Sequence, residues 1–504
     1  MATEVTAAPP AAGAASPSVG TRAVRGLSWL TLSYAGAKVL TFASTVALAR
    51  LLDPWSFGLV GFVLVCINVL AIFRDLGVGS ALIYRRDRIE EAANTAFYLS
   101  LGAGVLLCAA AWLGAPLAAA YFRQELVEPM LRLMATTFII SAFGSVQTFL
   151  LQKELQFRKT AALELAPAIG YLLASVLFAL AGMGANSLIY GHIAATVFGT
   201  AMAWFVSPWR PRLGFDWRLS GEIVHFSKHV MVWGFLIFLM NNLHYIIGGR
   251  LLGETSMGLF MVAFNLATLP VNSFSSIITK LLFPAYAKLA HDRTALEAAF
   301  LKTLRYLALV GLPIGVGMAL VSGALVPVLY GRKWVEMAPV LGLLALMGAV
   351  IVVNLSFGEI YKAIGRPEVL TWFLVIRIAV LAPLLYLGAR DDVVGLALAQ
   401  LVAALLTYPL NYLMLARTLG LSPLAMLLQL LPAGFATAAM TLVVLPLSLL
   451  LGSVAGLPAL LALIALASAG ALAYAGTLVL CQPALVREAL ALATVALGRR
   501  GDRS

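Results

Sequence analysis

Residues 50–59 read Arg-Leu-Leu-Asp-Pro-Trp-Ser-Phe-Gly-Leu, and residues 250–259 read Arg-Leu-Leu-Gly-Glu-Thr-Ser-Met-Gly-Leu. At an offset of 200 residues the arginine, both leucines, the serine, the glycine and the final leucine coincide. A looser echo joins Leu188-Ile-Tyr-Gly-His192 to Leu396-Ala-Leu-Ala-Gln400. In so Leu- and Gly-rich a chain a ten-residue match carries little by itself. Its weight comes from position: each copy forms the turn between the first two apolar runs of a six-run block.

Composition explains the runs. Of 504 residues, 62% are hydrophobic and 11% charged, against roughly 45–50% and 25% in soluble globular chains. This excludes a soluble enzyme, a disordered protein and a nucleic-acid factor; a mean hydropathy of +0.97 is that of a chain largely dissolved in lipid. The net charge of +12 needs no nucleic-acid partner, because cytoplasmic loops of membrane proteins collect Lys and Arg. Cys66, Cys108 and Cys481 lie in or beside apolar runs and form no disulfide or metal pattern. The Ala/Pro/Ser/Gly-rich start lacks the basic and short apolar regions of a signal peptide and reads as a disordered tail.

A spanning helix needs about 20 apolar residues. Fourteen runs qualify: 27–50, 55–76, 93–117, 127–150, 161–183, 186–207, 223–249, 256–280, 298–323, 337–361, 369–389, 393–417, 423–451 and 456–480. The runs are far longer than barrel strands, so the fold class is an all-α polytopic membrane protein. With the N-terminus placed in the cytoplasm, 22 Lys and Arg fall in cytoplasmic connections, six in external ones and six within spans. That alternation follows the positive-inside rule and puts both termini inside. The expected organisation is a disordered tail over 1–22, an N-lobe of spans 1–6 over 23–208, a C-lobe of spans 7–12 over 209–420, two appended spans over 421–482, and an amphipathic cytoplasmic tail over 483–504 on the inner membrane surface. Both lobes begin on the same side, so they are parallel repeats about an axis along the membrane normal, a plan that places substrate between the halves.

Several segments then become recognisable in order: Ala49-Arg-Leu-Leu-Asp-Pro-Trp-Ser-Phe-Gly-Leu-Val60, Phe73-Arg-Asp-Leu-Gly-Val-Gly-Ser-Ala-Leu-Ile83, Gln152-Lys-Glu-Leu-Gln-Phe-Arg158, Leu282-Phe-Pro-Ala-Tyr286 and Ala363-Ile-Gly-Arg-Pro367. Over roughly residues 22–420 the chain resembles the lipid-linked oligosaccharide flippases, the polysaccharide-export branch of the multidrug/oligosaccharidyl-lipid/polysaccharide exporter superfamily. The resemblance implies a bacterial inner-membrane protein that moves a polyprenyl-pyrophosphate-linked glycan between leaflets, for lipopolysaccharide O-antigen, exopolysaccharide or capsule. Its motifs are structural and transfer no catalytic residue.

Site candidates come instead from ionisable and polar groups inside spans, where a charge is costly. Lys38 lies about 16 Å into span 1, near mid-membrane. Tyr34, Lys38, Thr41 and Thr45 share one helix face, a polar stripe that suits a wet cavity; the alternative is that Lys38 snorkels or pairs with an acid on another span. Arg377 in span 11 is the second buried cation, and the two are expected to act together on phosphate. Span 8 contributes Asn265, Thr268, Asn272, Ser275 or Ser276, and Thr279. Span 7 contributes Asn241, Asn242, His244 and Tyr245. These polar groups suit either sugar hydroxyls or interhelical bonds. Lys228 and Lys280 sit where an anionic headgroup would enter, or snorkel to the interface. Arg74 and Asp75 read as a local ion pair, Glu359 and Lys362 as an i, i+3 pair, and His192, His225 and His229 as isolated, with no metal site.

No Walker-type phosphate loop and no catalytic triad occurs, so neither nucleotide hydrolysis nor an enzyme is expected. No cofactor is expected; a coupling ion, Na⁺ or H⁺, stays open. The expected partners are the glycan carrier, membrane lipids and polysaccharide polymerase machinery, around a monomer, with no nucleic acid. Two alternatives stand. A cation-coupled drug antiporter of the same superfamily requires a buried acid in the first lobe. A glycan polymerase or ligase requires a large outer loop, whereas the longest outer connections run to about 15 residues.

Overall fold

The computed structural model describes residues 19–74, 88–154, 156–451 and 457–496; residues 1–18 of the tail expected over 1–22, Asp75 and part of the Phe73–Ile83 segment lie outside them. Every regular element among the described residues is helical: α1 (Val19–Leu51), α2 (Pro54–Ala71), α3 (Ile89–Phe122), α4 (Val127–Lys153), α5 (Phe157–Leu180), α6 (Asn186–Val206), α7 (Trp217–Leu251), α8 (Gly253–Leu289), α9 (Arg293–Tyr330), α10 (Met337–Val353), α11 (Leu355–Ala363), α12 (Glu368–Asp391), α13 (Val393–Leu419), α14 (Pro423–Leu428), α15 (Leu431–Leu451), α16 (Leu457–Cys481) and α17 (Pro483–Ala496). Thirteen helical segments among the described residues are long and apolar enough to span a bilayer. The remaining long helix, α1, carries the polar stripe. Rows of exposed leucines, such as Leu106, Leu113 and Leu117 on α3, form an outer surface that only lipid tolerates at this density.

Three boundaries differ from expectation, each for a local reason. Helix α1 begins at Val19, within the stretch expected to be a disordered tail. Span 10 breaks at Asn354, whose side-chain amide turns back to the Val350 carbonyl at 2.8 Å instead of leaving the helix undisturbed. The expected span 423–451 divides into α14 and α15. Pro432 lacks an N–H and is accommodated in a first helical turn, so it starts a helix there and does not continue one. The C-terminal segment folds as α17, tied back to α9 by an ion pair between Glu488 and Lys302.

Packing repeats with the sequence. Helix α1 packs on α5 as α7 packs on α12; α3 on α4 as α9 on α10; α5 on α6 as α12 on α13; α4 on α6 as α10 on α13. The extra helices α15 and α16 pack on each other and on α9.

The two sets of six meet where α2 crosses α8. A Cβ on Gly58 would lie 1.7 Å from the Glu254 carbonyl oxygen, and one on Gly258 would lie 1.8 Å from that of Pro54. The contact is reciprocal in the 200-residue offset, the signature of a two-fold relation. No side chain fits at either glycine, so the backbones themselves touch.

Flanking bonds repeat the same symmetry. Arg50, ending α1, donates to the Val328 and Leu329 carbonyls at 2.6 and 2.9 Å. Arg250, ending α7, donates to the Ala120 and Tyr121 carbonyls at 3.3 and 2.6 Å. In each case an arginine reaches the last turn of the third helix of the opposite set, where carbonyls lack intrahelical partners and the helix dipole is negative. Trp334 donates its indole N–H to the Ala49 carbonyl at 2.7 Å. Trp55 and Gln124 both donate to the Glu254 carboxylate, at 2.9 and 3.1 Å. This seam closes the face that carries Arg50 and Arg250; the opposite face carries the ends of α2 and α4.

Gly58→Ala is expected to wedge the seam open, since backbone atoms opposite cannot yield, at a cost of about 1–3 kcal/mol typical of overpacking. Cysteines placed at Asp53 and Lys333, whose native side chains reach each other at 3.4 Å, should be joined by a bismaleimide that replaces the length of those side chains, with Cys66, Cys108 and Cys481 replaced by Ser. In Gly58→Ala that cross-linking should fall severalfold; an unchanged yield would contradict the steric role of Gly58.

Candidate functional site

Beneath the seam lies a cavity of about 470 Å³. Its first wall is α1: Tyr34, Lys38, Thr41 and Thr45 all face it, while Ser44 and Leu48 on the other side of the same helix are buried. The i, i+4, i+7, i+11 spacing thus divides α1 into a wet face and a packed one. Glu164 and Tyr171 of α5, His192 of α6, and Met261 and Asn265 of α8 also line it, with an apolar wall from α2 that includes Phe57, Val60 and Leu64. The cavity therefore touches both sets of six helices.

Lys38 is exposed to this space. Its ammonium stands 5.3 Å from the centre of the Tyr34 ring, within cation–π reach. No ion pair of Lys38 or Glu164 occurs among the described residues. The hydroxyls of Thr41 and Thr45 donate to Ala37 and Thr41 carbonyls, at 2.8 and 3.0 Å. Their oxygen lone pairs remain available to cavity contents.

The other expected site residues lie elsewhere. Arg377 donates to the Tyr408 hydroxyl at 2.6 Å and lies 4.7 Å from that ring's centre; it does not line the cavity. The expected partnership with Lys38 is thus not formed here, because a neighbouring tyrosine in the same six-helix set supplies the cation with both an acceptor and a π face. Asn242 is buried and donates to the Phe238 carbonyl at 2.9 Å. His244 bonds Gln400 at 3.0 Å in a fully buried pair. Asn272 and Lys280 are exposed but outside this lining. Lys228 lies on α7, with its side chain outside the described set. Glu359 accepts from Lys362 at 3.0 Å, and also from Thr279 of α8 at 3.2 Å.

The sequence reading passed over two cavity residues. Glu164 lies near the start of α5, and its place at the edge of an apolar run disguised a carboxylate aimed inward. It is the type of acid that the antiporter alternative demanded. His192, which read as isolated, packs edge-on against Tyr171 with ring centres 4.9 Å apart and reaches the cavity wall.

Comparison with known proteins agrees with this architecture. A family described as polysaccharide biosynthesis protein matches residues 47–339. The lipopolysaccharide biosynthesis protein WzxC of Escherichia coli is 26% identical over 408 residues, covering 80% of this chain and 82% of that protein. The succinoglycan biosynthesis transport protein ExoT of Rhizobium meliloti is 26% identical over 377 residues, covering 74% and 76%. Among solved structures, the lipid II flippase MurJ in an inward closed conformation superposes with a TM-score of 0.74 at 11% identity, over 91% of this chain and 99% of that one. An inward-facing multidrug resistance MATE family transporter of the MOP superfamily gives 0.62 at 16% identity, over 78% and 98%. At such identities the likeness is one of fold.

The wet and packed faces of α1 are separable by labelling. With Cys66, Cys108 and Cys481 replaced by Ser, a cysteine at Lys38 should react with a water-soluble maleimide, whereas one at Ser44, which is 0% exposed, should not. Equal labelling of the two positions would contradict the assignment of faces.

Proposed function

We propose that this chain, which belongs to the polysaccharide biosynthesis protein family, is a flippase. In this reading it carries a polyprenyl-pyrophosphate-linked oligosaccharide from the cytoplasmic to the periplasmic leaflet of a bacterial inner membrane, for assembly of a cell-surface polysaccharide. The observation that carries the reading is Lys38, a cation on a continuous polar face of a membrane helix, opening into a cavity between two sets of helices and paired with no carboxylate among the described residues.

A pyrophosphate crossing hydrocarbon loses its hydration, and a fixed ammonium at mid-depth lowers that barrier. The long tail need not enter the cavity; it stays dissolved in lipid while the headgroup crosses. The charge alternation of the loops supports a cytoplasmic position for both termini and for the ends of α2 and α4. The Arg50 seam is then periplasmic, and a cavity sealed by it is one that loads from inside. Residues 23–208 and 209–420 act as lobes that rock about the α2–α8 crossing, and release requires the Arg50 and Arg250 bonds to part. Arg377, engaged by Tyr408, keeps a place in this reading only in a state where that bond is exchanged. Polymerase machinery on the periplasmic side receives the product.

Two measurements test the reading. In cells with no other exporter, Lys38→Ala should abolish surface glycan while the protein remains in the membrane, and Lys38→Arg should keep part of the activity, since charge is retained with altered geometry. Normal glycan in Lys38→Ala refutes the anchor. Reporter fusions at Asp53 and Arg86 should report opposite sides; agreement between them refutes the topology.

A further inference from the structure

A second cavity of about 450 Å³ adjoins the first and shares Glu164, Pro167 and Ala195 with it. It lies among α4, α5 and α6, and its wall carries an unusual density of hydroxyls: Ser141, Ser145, Thr148, Thr160, Thr196 and Thr200. Hydroxyls in membrane helices ordinarily serve to join one helix to another. Here only Thr200 does so, donating to Ile140 of α4 at 3.1 Å. Ser141, Ser145 and Thr148 donate back to Phe138, Ala142 and Gly144 of their own helix. Thr160 and Thr196 donate back to Gln156 and His192 in the same manner.

The chemistry of the chamber follows from that accounting. Each hydroxyl has spent its one proton on a backbone carbonyl, so what remains toward the void is an acceptor. Glu164, at the junction of the two cavities, adds a carboxylate. Gln152 adds an amide, which is both donor and acceptor. Lone pairs beside a carboxylate repel phosphate, and Phe149, Leu163, Pro167 and Ala195 interleave them with the apolar surface usual in a small-molecule site. Arg74, at the far end, already has an interaction of its own. What such a wall accepts is a ligand rich in O–H donors. A volume of about 450 Å³ lies in the range of small-molecule sites.

We propose that this second chamber is the binding site for the sugar units of the lipid-linked substrate, with Glu164 as the acceptor that divides it from the pyrophosphate site at Lys38. The inference rests on the flippase reading and gives it an orientation. The anion stays beside the ammonium, the carboxylate excludes it from the chamber beyond, and the sugars extend past Glu164 among α4, α5 and α6. Occupied this way, the N-terminal six-helix set reads the glycan, and the interlobe space reads the carrier.

The test compares two substrates in vesicles reconstituted with the full chain. One is the lipid-linked repeat unit extracted from cells lacking this protein; the other is the same preparation trimmed by glycosidases to its first sugar. Ser145→Phe fills the chamber, and the double variant Thr148→Val, Thr196→Val removes two acceptors at nearly unchanged shape. Both should slow transport of the full repeat by about tenfold, equivalent to about 1.4 kcal/mol, and leave the one-sugar carrier within about twofold. Glu164→Gln should follow the same pattern. Full-repeat transport at the parent rate in all three variants overturns the proposal, as does an equal loss of both substrates in folded protein. An equal loss confined to Glu164→Gln removes that residue from the sugar site. Failure of the underlying reading looks different: the parent protein moves neither substrate, or Lys38→Ala moves both.

Discussion

Two helix backbones touch in the seam between the two sets of helices, and the rest of the structure is arranged around that contact. Gly58 faces the carbonyl of Glu254 and Gly258 faces that of Pro54, at distances that leave no room for a methyl group. Close backbone approach is what glycine permits and any other residue forbids. Because the contact is made twice under one symmetry, the same rotation sets where Arg50 and Arg250 land. Each finds the unsatisfied carbonyls at the end of the opposite third helix. A helix C-terminus and an arginine are complementary in hydrogen bonding and in dipole, so a short stretch of repeated sequence supplies both halves of a closure.

That closure roofs the cavity. A polar stripe on a membrane helix is tolerable only if it meets water, a partner or a ligand. The α1 stripe meets a void that begins at Thr45, about 7 Å below Arg50 along the helix. Lys38 and Glu164 then stand in one cavity without a mutual ion pair. A paired cation would be neutralised and would hold an anionic headgroup weakly. An unpaired one keeps its full attraction, and the Glu164 carboxylate, shared with the adjoining cavity, gives the lining both signs of charge. In the proposed reading those charges orient the substrate, with phosphate at the lysine and sugars beyond the acid.

The seam and the cavity also constrain motion. The bonds that cross the seam are few and lie at helix ends, where carbonyls can exchange a guanidinium for water at small net cost. The contacts within each set of six are long helix–helix interfaces. Opening the seam also parts the α2–α8 packing and the apolar cluster that joins the two sets, so the rocking proposed above exchanges apolar contacts as well as these bonds.

The sequence by itself determined the helical membrane class and pointed to the 200-residue repeat and the polar face of α1; its apolar runs located the helices but not their ends, which pass beyond the runs as α8 does to Leu289. Each is set by a local quantity: length of apolar run, charge of a connection, or spacing along one helix. It also marked Lys38 as a residue in need of an explanation. Only the tertiary structure decided the rest. Whether Arg377 joins Lys38 depends on Tyr408, thirty-one positions away in sequence and in contact through helix packing. Whether Glu164 is a surface acid or a cavity acid depends on which way α5 is turned against α1 and α6, a rotation that a nearly uniform apolar helix does not encode. The breaks at Asn354 and before Leu431 likewise interrupt continuous hydropathy, because hydropathy records what the bilayer accepts and is blind to the backbone hydrogen bonds that end a helix.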